Sequence, residues 1–291
     1  MNNKIHITEL QLLLADKTGV RSVVNSFIEV GGGSINETFR LQYGDKNYFL
    51  KVNHAADFPE MFKKEARGLC ELSKIHTWKI PEVILTACFH NKQYLLMEYV
   101  ESTSENQEYF HCLGKSLAHL HLIKGEDFGY EEDNFIGSLV QINKKASTWE
   151  QFFYAQRLEP FIKWGYDSKI IEKVLLKKFE SLRLKLKEIF PSEKPSLLHG
   201  DLWSGNKMNS TYGPCVFDPA VYYGHREMDL AMTNLFGGFT SEFYNAYQET
   251  YPTEPGLEKR IKICNLYPLM VHVKLFGVSY LQDVKLTLKP F

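Results

Sequence analysis

The sequence predicts an α+β fold of two lobes: a small antiparallel β-sheet N-lobe with one helix over residues 1–100, then a larger, mainly α-helical C-lobe over 101–291. Three observations predict it. Short β-branched and aromatic runs broken by turn residues crowd the first hundred positions, helical periodicity dominates after residue 104, and a polar stretch without pattern separates the two regimes.

The strands are read at Phe27 to Val30, Phe39 to Tyr43, Tyr48 to Val52, Val83 to Phe89 and Tyr94 to Tyr99. Gly31-Gly32-Gly33, Gly44-Asp45-Lys46-Asn47 and His90-Asn91-Lys92 punctuate them as turns. Between the third and fourth strands, Phe62, Ala66, Leu69 and Leu72 share one face at helical spacing and place the lobe's helix over 61–72. The polar run Glu101-Ser102-Thr103-Ser104-Glu105-Asn106 then joins the halves as a hinge. Beyond it, Leu113, Leu117 and Leu120 open a helical pattern that continues through 169–189, 227–236, 241–250 and 257–277, with Cys215-Val216-Phe217 as the strand read there. No internal repeat or low-complexity segment interrupts it.

Composition narrows the partners. With 44 % hydrophobic and 24 % charged residues, the 291-residue chain is globular rather than disordered. A formal net charge of −1 gives no broad basic field for nucleic acid or anionic lipid. The five cysteines are odd in number, scattered and free of C-x-x-C spacing, and read as buried thiols of a reducing cytosol. No secretory signal follows Met1, and no apolar run reaches the roughly 18 residues of a membrane span. A cytoplasmic protein without nucleic-acid or membrane partners is expected, its oligomeric state left open.

The chemistry is concentrated in His199-Gly200-Asp201, with Asn206 five positions after the Asp and Asp218 following the apolar Val216-Phe217. Phosphoryl transfer requires a carboxylate beside the attacking hydroxyl and oxygen ligands that hold Mg²⁺ against the phosphates of ATP. The pattern H-x-D-x-x-x-x-N followed by a strand-borne Asp supplies both, with Asp201 as the base and Asn206 and Asp218 as metal ligands. Upstream, Gly31, Gly32, Gly33 and Ser34 form either a plain turn or a bare-backbone hairpin over a polyphosphate. Lys51 lies in an apolar strand whose alternation puts Leu50 and Val52 on one face and Phe49 and Lys51 on the other. It is either a solvated edge lysine or the phosphate-binding partner of Glu65 in the following helix. Met97, Glu98 and Tyr99, where the last strand runs into the hinge, are candidates for binding the adenine base. Trp203 either packs on the C–H face of a sugar acceptor or fills the core. His225 and Glu227 either line the same cleft or cap the next helix, and Asp229 in that helix is positioned to buttress the catalytic loop.

Leu198-His199-Gly200-Asp201-Leu202-Trp203-Ser204-Gly205-Asn206, Phe217-Asp218-Pro219-Ala220 and Tyr223-Gly224-His225-Arg226-Glu227 together resemble the fructosamine kinase (ketosamine 3-kinase) family. The likeness runs nearly end to end, through Asp133-Asn134-Phe135-Ile136-Gly137, Phe152 to Leu158 and Leu235-Phe236-Gly237-Gly238-Phe239. It implies a protein-kinase-like fold and transfer of the γ-phosphate of ATP to the 3-hydroxyl of a ketosamine, free or on protein lysines, as a deglycation or repair activity. Ribulosamine, erythrulosamine and fructosamine are the implied acceptors, with the shorter sugars favoured. Two departures stand out. Residues 31–36 lack the cysteine that serves some relatives as a redox switch. The segment His272-Val273-Lys274-Leu275-Phe276-Gly277 has Lys274 where the family pattern has Asn, which bears on sugar preference through the acceptor candidate His272. The competing readings are a kinase for another alcohol, such as an aminoglycoside or choline-like compound, and a pseudokinase that only binds nucleotide.

Overall fold

A computed structural model of the chain describes residues 6–31 and 35–291. Gly32, Gly33 and Ser34 of the expected phosphate-covering hairpin lie outside the described residues. Helix α1 (Ile7–Thr18) precedes a five-stranded antiparallel sheet of β1 (Val24–Glu29), β2 (Glu37–Tyr43), β3 (Lys46–His54), β4 (Val83–Phe89) and β5 (Lys92–Glu98). Its strand order is β1-β2-β3-β5-β4, and α2 (Met61–Leu72) connects β3 to β4.

Strand alternation in β3 sorts its residues as expected. Leu50 and Val52 are buried with Leu41 and with Leu10 and Leu14 of α1. On the opposite face, Phe49 packs with Met61, Phe62 and Leu69 of α2, and Lys51 shares that side. The register pairs Lys51 with Thr38 of β2 and Leu95 of β5, so the lysine sits mid-sheet rather than on an edge.

Helix α1 is an addition to the one helix expected in this half. Of its leucines only Leu10 and Leu14 are buried, while Leu12 and Leu13 are exposed. The buried pair Leu10 and Leu14 is masked by the exposed Leu12 and Leu13 between them, so two positions alone carry the helical period and it is not legible in the sequence.

The chain then forms β6 (Ser102–Thr103), α3 (Gln107–His121), β7 (Asn134–Ile136), β8 (Leu139–Gln141) and α4 (Trp149–Phe152). A π-helical turn, Phe153–Leu158, leads into α5 (Glu159–Asp167) and α6 (Lys173–Ile189). Next come β9 (Ser196–Leu198), a 3₁₀ turn at Ser204–Asn206, β10 (Lys207–Ser210), β11 (Gly213–Val216) and β12 (Tyr222–Gly224). Five helices close the chain: α7 (Glu227–Leu235), α8 (Ser241–Thr250), α9 (Leu257–Cys264), α10 (Leu266–Phe276) and α11 (Leu281–Thr287).

Three local readings need correction. The connection at 101–106 is not patternless, because β6 pairs with β10 and the Asn106 side chain caps α3 by accepting from the Tyr109 N–H at 2.8 Å. The helical pattern over 257–277 divides at Asn265, since Pro268 is tolerated only in the first turn of a new helix. Cys70 and Cys88 are exposed, so of the five free cysteines only Cys215 and Cys264 are buried. Among the described residues no helix is long and apolar enough to cross a membrane.

Because Leu14 is fully buried between α1 and the sheet, Leu14→Ala should lower unfolding free energy by about 2–5 kcal/mol in urea denaturation. A loss below about 0.5 kcal/mol would mean that α1 is not docked on the sheet.

Candidate active site

A cleft of about 960 Å³ opens between the sheet and the helical half. Gly31, Lys51 and Glu65 line it from one side, and Asp201, Asn206 and Asp218 from the other. At its centre the Lys51 ammonium donates to Glu65 Oε1 and to Asp218 Oδ1, both at 2.8 Å. The solvated-lysine alternative is thereby removed: Lys51 is 3 % exposed. Burial alone would favour the neutral amine, but the charges of Asp218 and Glu65 outweigh it and hold the ammonium protonated. Burial pushes the Glu65 carboxyl up to about 7, against the pull of Lys51.

The loop after β9 presents Asp201. Gly200 has φ +82°, and a Cβ there would lie 2.0 Å from the Ala220 carbonyl oxygen, so only glycine allows this approach. Buried Asp229 of α7 accepts from the His199 N–H at 2.8 Å and the Gly200 N–H at 2.9 Å. His121 of α3 holds Asp229 from behind, with Nε2 3.1 Å from Oδ2 and Nδ1 2.8 Å from the Tyr247 hydroxyl. Asn206 Nδ2 donates to the Asp201 backbone carbonyl at 2.9 Å and to its Oδ2 at 3.2 Å. Burial pushes the Asp201 carboxyl well above the usual carboxylate range, the Asp218 charge adds to this, and the Asn206 hydrogen bond opposes it. A proton acceptor with raised affinity, aimed into a cleft, suits general-base chemistry.

Trp203 and His272 both line the cleft near Asp201. Trp203 is 39 % exposed and is not a core residue. Its ring lies over Gly205, where a Cβ would sit 2.4 Å from the indole, and edges onto Phe236 with centroids 6.3 Å apart. His272 fixes its Nδ1 on the Pro268 carbonyl at 2.7 Å and packs among Phe236, Phe276 and Tyr280. Lys274 instead turns toward the rings of Phe161 and Trp164. Met97, Glu98 and Tyr99 line the opposite part of the cleft. The Glu98 N–H is already committed to the Glu82 carbonyl, and its carboxylate to Lys79 at 2.6 Å.

His225 and Glu227 do not line the cleft. Both are buried: His225 packs on Trp149 and Phe190, and Glu227 opens α7 in an ion pair with Arg260 at 2.8 Å. Their partners come from distant segments, so the motif's proximity to Asp218 misled. The sequence reading gave no separate role to Asn134, Gly200 and Gly205, though all three stand inside the motifs it quotes, and it missed His121 and Tyr247, which left no local signal.

The donor set suits a hard divalent cation. Asn206 uses its amide nitrogen inward, and Asp218, held at φ +55°, commits only Oδ1 to Lys51. Oxygens of both side chains remain for an ion, and two carboxylates on the Lys51 ammonium, with Asp201 in the same cleft, leave the centre too acidic to receive a polyphosphate unaided.

A fructosamine kinase family profile matches residues 6–291. The chain belongs to the fructosamine kinase family. It is 36 % identical over 267 residues to a Vibrio parahaemolyticus protein named a probable ketoamine kinase, covering 90 % of each chain. It is 31 % identical to the mouse protein named ketosamine-3-kinase, covering 93 % of this chain and 96 % of that one. A crystal structure from Thermobifida fusca, named as a candidate fructosamine-3-kinase, superposes with a TM-score of 0.87 at 31 % identity over 97 % of this chain and 98 % of that one. An aminoglycoside phosphotransferase solved with AMP-PNP and hygromycin B shares the protein-kinase-like fold alone, at 15 % identity and a TM-score of 0.65 over 97 % of this chain and 98 % of that one. Members of the fructosamine kinase family are ATP-dependent kinases, and this chain is one of them.

If Asp201 is the base of this kinase, its protonation removes activity, and a raised affinity moves that loss to higher pH. The acid limb of kcat/KM should therefore have its midpoint above about 4, the ordinary aspartate value. A profile flat from pH 5 to pH 8 would show that the group titrates in the ordinary range.

Proposed function

We propose that this fructosamine kinase family member is a ketosamine 3-kinase, using Mg²⁺ and ATP to phosphorylate the 3-hydroxyl of ribulosamine, erythrulosamine or fructosamine. The acceptor is carried free or on a protein lysine, and the phosphorylated adduct breaks down to release the amine, which makes the activity a repair of glycation. The reading rests on one observation: a cleft with Asp201 beside the Lys51, Glu65 and Asp218 cluster ends in aromatic walls that carry no spare acid. Its other carboxylates, Glu65 and Glu98, are each neutralised by a lysine. A polycationic aminoglycoside would need free carboxylates there, whereas the neutral polyol of a sugar needs a flat apolar surface such as Trp203.

In this mechanism residues 1–100 hold the nucleotide and residues 101–291 present the acceptor. Lys51 neutralises phosphate oxygens, with Gly31 beside them and Met97 to Tyr99 beside the adenine. Asn206 and Asp218 would hold Mg²⁺, which when bound offsets the negative charge of the phosphates. Asp201 takes the hydroxyl proton as the sugar oxygen bonds to the γ-phosphorus; the bond to the β-phosphate oxygen breaks and ADP leaves. Trp203 and His272 orient the acceptor. The pseudokinase reading fails to account for a full set of base, lysine and metal ligands held in one cleft.

Purified protein incubated with ATP, Mg²⁺ and a ribulosamine should yield ADP and a phosphosugar, and EDTA should stop the reaction until Mg²⁺ is restored. Asp201→Asn should cut turnover by about 10²–10⁴-fold while ATP binding by calorimetry is kept. No turnover across a series of ketosamines, alongside brisk phosphorylation of another alcohol, would reject the acceptor assignment.

A further inference from the structure

Arg157 is fully buried, 0 % exposed, in the π-helical turn Phe153–Leu158, and forms no ion pair among the described residues. A buried charge without a counter-charge is costly unless something else is gained by keeping it. π-helical turns aim side chains that an α-helix would place elsewhere, and they recur at functional sites. Here the guanidinium sits 4.1 Å from the Tyr222 ring centroid and 5.2 Å from that of Tyr267, and both rings line the cleft. Phe152 supplies a third aromatic contact at 4.6 Å.

Its hydrogen bonds lead to the catalytic residues. Arg157 Nη1 donates to the Ile142 carbonyl and Nη2 to Asn143 Oδ1 at 2.7 Å, while Nε has no partner. Asn143 Nδ2 donates to Asn134 Oδ1 at 2.9 Å, and Asn134 Nδ2 to the Val221 carbonyl at 2.8 Å. Gln141 Nε2 donates to Asn134 Oδ1 at 2.8 Å and to the Ala220 carbonyl at 3.0 Å, and its Oε1 accepts from the Tyr267 hydroxyl at 2.9 Å. The Ala220 carbonyl is the atom that touches Gly200, and the Ala220 N–H donates to the His199 carbonyl at 2.9 Å. One buried chain of amides therefore connects Arg157 to the backbone on which Asp201 and Asp218 both rest.

We infer that Arg157 is a positioning residue for phosphoryl transfer: through Asn143, Asn134 and Gln141 it fixes the Ala220–Val221 backbone, and so the spacing of Asp201 from Asp218. Its charge polarises the chain in one direction, so each amide presents a donor toward the 220–221 carbonyls. The side chain touches neither substrate nor reacting atoms. The inference rests on the kinase reading above but not on which alcohol is the acceptor.

The test uses whichever alcohol the wild-type protein phosphorylates, so that failure of the acceptor assignment shows in the wild type and not in the variants. Arg157→Met should lower kcat about 100-fold, as expected for a displacement near 1 Å of catalytic groups, with the KM for ATP changed less than about threefold. Arg157→Lys, which keeps the charge but not the fork, should recover part of that loss. Leu182→Ala, a cavity variant in α6 of the same core that makes none of these hydrogen bonds, controls for lost stability and should keep kcat within about twofold at a temperature where all variants are folded. In the double variant Arg157→Met with Asn143→Leu the losses should not multiply, because both act through one chain. If Arg157→Met does not fold, Gln141→Leu cuts the same chain at Ala220 without touching a charge and should show the same kcat loss. A kcat for these variants no lower than that of Leu182→Ala, or losses that multiply, would overturn the inference.

Discussion

Lys51 can remain buried only where two carboxylates reach its ammonium at once, and that requirement constrains most of the molecule. One carboxylate comes from α2 and the other from the segment after β11, so a single cation joins sheet, helix and C-terminal half. Loss of either partner would leave the buried ammonium with a single carboxylate and break the tie to one of the elements it joins. The structure reinforces the junction on both sides. Gly68 of α2 leaves room for Pro219 and Val221 to approach closely, and Arg67 forms a two-pronged ion pair with Glu132 across the same boundary. The helix that carries Glu65 is thus docked directly on the segment that carries Asp218, and the lysine–glutamate pair needs no separate event to form.

The catalytic loop depends on a second constraint of the same kind. Asp229 accepts from two consecutive backbone N–H groups, which sets the turn at Gly200. Its own charge is held by the His121 ring, which Tyr247 orients. Such fully satisfied buried networks define one conformation, since each member loses its partner if another moves. Among the described residues the Asp201 carboxylate has Asn206 as its one hydrogen-bond partner, and burial keeps its proton affinity raised.

What could be read from the sequence follows the range over which each interaction acts. That Asp201, Asn206 and Asp218 share one cleft was legible because they come from one short loop and the end of the strand pair after it, so their spacing is fixed. Lys51 and Glu65 were legible because a lysine in an apolar strand asks for an anion, and the next amphipathic helix offered one. His225 and Glu227 carry the same residue types beside the same motif. They serve Pro191, Trp149 and Arg260 instead, partners 33 to 76 positions away that no local pattern reveals. Arg157 and Asn134 stood in segments of the family likeness, but their joint hydrogen bonding was hidden for the same reason, and α1 because its two buried leucines sit among exposed ones.

The acceptor end follows from the nucleotide end by charge. The cleft already holds Glu65 and Asp218 on one ammonium and Asp201 besides, and further acid would oppose the triphosphate that must enter. Its far wall is accordingly built from Trp203, Phe236, His272, Phe276 and Tyr280, whose contacts are with one another. Such a wall offers shape and flat apolar faces, and no carboxylate, to a bound molecule. The one cation of the nearby helix, Lys274, is turned onto Phe161 and Trp164, so it adds no charge to that wall. The shape of this aromatic wall, rather than charge, is what that end of the cleft offers to anything that enters it.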